Sequence, residues 1–196
     1  MATALARPDS ALARRAEELV AEAEPGFLAN HSYRSHFWAV ALAERERVRF
    51  DPELLYVAAL LHDIGLVARF DTGKCFEEDG AGVAARLAAE SGWPAERCEA
   101  VAEAIRLHVA VHVALEDSAE GYLLWHSTGL DVGGHRYGEL TARTVEQVLA
   151  AYPRLDFKAG FTELVADQAE RKPGCWAERA MQGGLRERIA AAPFVS

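Results

Sequence analysis

The chain has 196 residues, enough for a substantial core, and 51% of them are hydrophobic. With 30 acidic against 21 basic residues its formal charge is −9, which works against nucleic acid or an anionic membrane as a partner and favours a small-molecule substrate. No run approaches the roughly 18 apolar residues of a membrane span, and the start, Met-Ala-Thr-Ala-Leu-Ala-Arg-Pro, is too short an apolar stretch for a signal peptide, so a soluble cytoplasmic protein is expected.

Ala and Leu dominate and strand-like alternation is nearly absent, so the chain reads as all-α and as one domain over 1–196. Ser10 to Ala23 reads as an amphipathic helix, capped by Ser10 and ended by Pro25-Gly26. Asn30 is a candidate cap for a second helix running to about Arg47, where His31, Trp38 and Leu42 share a face and turn His31 inward. A third helix opens with Asp51 as N-cap, Pro52 as first residue and Glu53 in the first turn. It continues as an unbroken apolar run from Leu54 to Leu61 and ends at His62-Asp63, before Gly65.

Residues 64–77 form a longer connection with a turn at Asp71-Thr72-Gly73, and Glu78 or Asp79 begins a fourth helix ending near Ser91-Gly92. A fifth helix runs from Pro94 to about His112, with Cys98, Val101, Ile105, His108 and His112 on one stripe. A sixth spans Ser118 to His126, which leaves Thr128, Asp131, Gly133-Gly134 and His135 in a loop. The remainder, 141–196, reads as short helices broken by Pro153, Pro173 and Gly183-Gly184. The three cysteines, Cys75, Cys98 and Cys175, form no CxxC pair, and their odd number suits a reducing compartment.

The third helix carries the chemistry. A helix apolar on every side is buried, yet this one ends in an imidazole and a carboxylate. A buried carboxylate without a partner is costly. A divalent ion against the helix end repays that cost and accepts both ligand types.

The stretch "AALLHDIG", about thirty residues after a His-bearing helix start, resembles the HD superfamily of metal-dependent hydrolases, and the resemblance runs over residues 27–140. It implies an all-α HD-type helical bundle with a buried metal site. The ligands it implies are His31 in "NHSYR", His62-Asp63 in "ALLHDIG" and Asp131 in "STGLDVGG". One divalent ion is expected, with Zn²⁺ ahead of Mn²⁺ or Fe. A second, which His112 would help to hold across Asp63, is the lesser expectation.

The segments "NHSYRSHFWAVALA", "FDPELLYVAALLHDIGL", "FEEDGAGVAARLAAESG", "VAEAIRLH" and "STGLDVGGHR" further resemble the cyanamide hydratase branch. That branch implies metal-activated water adding to a nitrile carbon, as from cyanamide to urea. His108 is the expected proton relay or additional ligand, with His126 a weaker candidate. Glu77 is expected to orient a ligand or a water, and Arg34 to meet an anionic substrate group or to form a salt bridge behind the site to a carboxylate such as Glu77 or Asp63. Lys74, Thr128 and His135 are expected at the substrate, and His36 off the face of His31, as a structural or exposed residue. Many HD phosphodiesterases read "HDIGK"; here Leu66 replaces the lysine, which weakens the case for a phosphate substrate. Two alternatives remain open: a phosphohydrolase of nucleotides or small phosphate esters, and a non-catalytic metal-containing ligand-binding protein. A di-iron oxygenase, which would need both His108 and His112, is a minor further one. Homo-oligomerisation is also left open.

Overall fold

The computed structural model describes residues 5–194. Ten α-helices and two short 3-10 turns make up its regular structure, with no strand among the described residues. Ser10 caps α1 (Ala11–Ala23) by accepting from the Ala13 N–H. The second helix, α2 (Gly26–Glu46), starts earlier than a cap at Asn30 would allow, because Pro25 holds the extended N-cap backbone. Asn30 lies inside the helix and donates its side-chain amide to the Pro153 carbonyl at 2.8 Å.

At the centre stands α3 (Pro52–Leu61). Asp51 accepts from the N–H groups of Glu53 and Leu54 and is clamped by Arg97. Every residue from Leu54 to Leu61 is buried, as an all-round apolar surface requires. The helix packs against α1, α2, α4 (Phe76–Glu90), α5 (Ala95–Leu107) and α6 (Ala119–Gly133).

Two boundaries differ from expectation in ways that matter. α5 stops at Leu107, so His108 is its C-cap and His112 lies beyond it, exposed. α6 instead runs through the expected loop as far as Gly133, with Gly134 as a left-handed C-cap at φ 78°. Ser127 and Thr128 tolerate the helix because each hydroxyl donates back to a carbonyl three residues earlier. Thr128 and Asp131 are thus helical, and the Gly-Gly pair marks only the end.

The chain closes with α7 (Ala142–Ala151), α8 (Phe157–Arg171), α9 (Trp176–Gln182) and α10 (Leu185–Ala191). α8 packs on α2 and on the turn after His62-Asp63, and α10 packs on α6. A second hydrophobic cluster forms there, joining Leu28, Leu66 and Phe76 to Phe157, Phe161 and Leu185. Cys75 and Cys175 form a disulfide with Cα atoms 5.4 Å apart, and Cys98 is a buried free thiol. This corrects the reading of three reduced cysteines, because an odd count also fits one bonded pair plus one core thiol. No helix among the described residues is long and apolar enough to cross a membrane.

Candidate metal centre

Three neighbouring elements bring His31, His62 and Asp63 together. His31 comes from the second turn of α2, His62 is the C-cap of α3, and Asp63 opens the 3-10 turn Ile64–Leu66; all three are buried. The corner is tight because two glycines let α4 close on it. A Cβ at Gly65 would lie 2.1 Å from the Phe76 carbonyl oxygen, and one at Gly80 would lie 2.9 Å from the carbonyl oxygens of Leu61 and His62.

A neutral imidazole has one N–H and one lone pair. His31 Nδ1 faces Asp131 Oδ2 at 2.7 Å, and His62 Nδ1 faces the Ala59 carbonyl at 2.8 Å. Both partners only accept, so each Nδ1 carries the hydrogen. The two Nε2 atoms then meet 3.2 Å apart. Asp63 Oδ2 joins them, 3.4 Å from His31 Nε2 and 3.2 Å from His62 Nε2, with no hydrogen-bond partner of its own. Facing lone pairs and an unpartnered buried carboxylate oxygen are both unfavourable, and a cation at their common point relieves both. The three residues could therefore hold a metal ion. Two imidazoles and one carboxylate leave coordination positions free, as a catalytic site needs.

The electrostatics agree with a site that attracts positive charge. Burial would lower the His31 imidazole, but Asp131 and Asp63 outweigh it and carry its pKa up. Burial does push His62 down, against the pull of Asp63. Burial would raise the Asp63 carboxyl; His62, then His108 and His31, override it and hold the group well below the usual carboxylate range.

Asp131 is not brought into this cluster, contrary to its expected role as a ligand. It lies behind His31, and its carboxylate is fully engaged. Arg34 donates from Nε and Nη2 at 2.9 and 2.8 Å, Trp38 Nε1 at 2.8 Å, Arg154 Nη1 at 3.2 Å, and His31 Nδ1 at 2.7 Å. Such a carboxylate fixes the tautomer and the aim of an imidazole from the far side. Arg34, completely buried, makes the expected salt bridge to a carboxylate, but to Asp131 and not to Glu77 or Asp63, and does not line the cavity.

His108 does converge. Its Nδ1 donates to the Ile105 carbonyl, so Nε2 turns to the cluster, 3.6 Å from Asp63 Oδ1. Glu77 lies near enough to His108 to interact electrostatically; burial raises its carboxyl, and one oxygen has no partner. His112 packs on Trp125 in the loop after α5, so the second-metal expectation loses its ligand. His126 stacks with His135, with ring centroids 5.7 Å apart. His36 is buried and structural, edge-on to Phe37 and Tyr56.

A cavity of about 420 Å³ opens onto His31, His62, Asp63 and His108. Thr128 and His135 line it, whereas Lys74 is exposed and lies outside it. Sequence reasoning missed the share of the C-terminal helices, which contribute Phe161, Trp176, Leu185 and Arg188. It also missed Arg154, the second guanidinium on Asp131. Neither leaves a local signal, since both depend on how distant helices dock.

This fold and its His, His-Asp constellation define a class. The family profile of the HD domain matches residues 28–141, more than half of the chain, and the chain belongs to that family. Two proteins of Saccharomyces cerevisiae, cyanamide hydratase DDI2 and cyanamide hydratase DDI3, resemble it more particularly. Each is 29% identical over 171 residues, covering 85% of this chain and 76% of its own length.

Proposed function

We propose that this protein is a metal-dependent hydratase that adds water across the C≡N bond of a small nitrile-like substrate, of the cyanamide-to-urea type. The carrying observation is the convergence of His31 Nε2, His62 Nε2 and the unpartnered Asp63 Oδ2 at one end of a cavity. The named relatives support the choice of reaction. His31, His62 and Asp63 would hold the ion, with zinc the first choice. Bound there, a divalent ion supplies Lewis acidity and makes water a nucleophile near neutral pH.

The protein's own groups do the rest. Asp131 keeps the His31 proton on Nδ1, so its lone pair faces the site. In the addition, the water oxygen bonds to the nitrile carbon and a proton goes to the nitrile nitrogen; the isourea so formed tautomerises to the urea. His108, whose Nε2 lies 3.6 Å from Asp63 Oδ1, would take the proton from water and hand it on, and Glu77, which interacts with it electrostatically, would favour its protonated form. Thr128 and His135, on the cavity wall, would offer polar groups to the substrate.

A phosphohydrolase fits less well. Arg34 and Arg154 are consumed by Asp131, Leu66 is buried where many HD phosphodiesterases carry a lysine, and among the described lysines and arginines only Arg188 lines the cavity. The test measures urea release from cyanamide beside phosphate release from a nucleotide panel, using zinc-loaded and metal-stripped protein. Urea formation by the zinc form alone is expected. His62→Ala and Asp63→Ala should lose both metal and activity, while His108→Asn should keep its zinc and lose about 100-fold or more in kcat. Phosphate release without urea would overturn the reading, and zinc binding without turnover of either would leave a ligand-binding protein.

A further inference from the structure

We infer that the substrate carries an aromatic group next to the reacting function, so that cyanamide itself underfills the site. This rests on the hydratase reading and extends it to substrate class. Cyanamide has only three non-hydrogen atoms, whereas the cavity of about 420 Å³ lies in the range of roughly 300–1,000 Å³ typical of pockets for drug-sized ligands. Its chemistry is divided. One part is the polar cluster of His31, His62, Asp63 and His108; much of the remaining lining is apolar, led by the rings of Phe76, Trp125, Phe161 and Trp176.

These rings offer faces and edges more than hydrogen bonds. The indole N–H of Trp125 is already donated to the Ala110 carbonyl at 3.0 Å. Phe76 and Trp176 meet edge-to-face with centroids 5.9 Å apart, and each directly follows one half of the Cys75–Cys175 disulfide. That link fixes the two rings relative to each other before any ligand arrives. A small polar substrate would leave this wall facing water, whereas a ring sharing edge and face contacts with it gains from burial and from aromatic geometry. An amphipathic molecule, with a compact polar head and an aromatic tail, matches both parts of the cavity.

The experiment compares kcat/KM for N-benzylcyanamide and cyanamide on the zinc-loaded full chain. The benzyl compound should be favoured by about 100-fold or more, since even one methylene in an apolar pocket is worth about 10–200-fold. Trp176→Ala should lower that ratio at least about tenfold. A ratio near one, or one favouring cyanamide, overturns the inference. A binding measurement separates its failure from that of the hydratase reading. Because Trp125 and Trp176 line the cavity, their fluorescence should report tighter binding of N-benzylurea than of urea. If neither cyanamide is hydrated but N-benzylurea still binds more tightly, the hydratase reading falls and the aromatic pocket stands. If N-benzylurea binds no better than urea, the pocket inference falls whatever the turnover.

Discussion

Asp131→Asn is the sharpest probe of how the centre is supported. The carboxylate is completely buried among four partners: His31, Trp38 and the guanidiniums of Arg34 and Arg154. The amide keeps the shape but removes the charge and turns one acceptor into a donor aimed at donors. Two buried guanidiniums then lose their counter-charge. Breaking such a pair costs about 3–5 kcal/mol, which for a chain of this size lowers Tm by about 6–20 °C. His31 also loses the acceptor that holds its tautomer, and zinc affinity should fall about 10–100-fold. The assays are thermal melting of metal-free protein and zinc titration against a chromophoric chelator. If Asp131 acted instead as a ligand, the variant would lose zinc altogether while the metal-free protein melted almost unchanged. A metal-free variant melting within about 2 °C of wild type would refute the buried network.

Gly65→Ala should destabilise by about 3 kcal/mol or more, because its Cβ would meet the Phe76 carbonyl oxygen, a backbone atom that cannot turn aside. Gly82→Ala on α4, with nothing within 4 Å of its Cβ, should instead stabilise by about 0.5–1 kcal/mol; equal effects on the urea midpoint would contradict the close-approach account. For pH dependence the informative group is His36, whose imidazole burial pushes down to about 3. The unfolded chain, with histidine near pH 6.5, binds the extra proton between these values, so stability is lost as pH falls, by about 1.4 kcal/mol per unit. His36→Phe should flatten this slope between pH 6 and 4.5 in urea titrations, and an unchanged slope would refute the assignment.

The all-helical class was legible from composition, and the burial of α3 from its unbroken apolar run. Both are local properties: capping by Ser10 and Asp51, and a helix surface with no polar side, act whatever lies beyond. His62 and Asp63 were legible for a related reason, as polar groups at the end of a core helix that have few ways to be satisfied, and the resemblance to the HD superfamily joined His31 to them as a ligand. Gly65 could be read as a stop, but its greater constraint, the approach of the Phe76 backbone, appears only once α4 is docked.

Asp131 shows where such reading ends. The resemblance implied a ligand and the residues around it a turn, yet Ser127 and Thr128 bond back into the helix and carry it onward. Its role was then decided by Arg34 and Arg154, 97 and 23 residues away in sequence. The Cys75–Cys175 bond, which spans 100 residues, and the aromatic wall at Phe76, Phe161 and Trp176 likewise join segments far apart in the chain. By itself the sequence determined the all-helical class and the buried central helix with His62-Asp63 at its end, because hydrophobic periodicity and caps act over a few residues. The tertiary structure alone decided which carboxylate faces the site, which stands behind it, and how large a molecule fits, because these follow from packing between helices far apart in the chain.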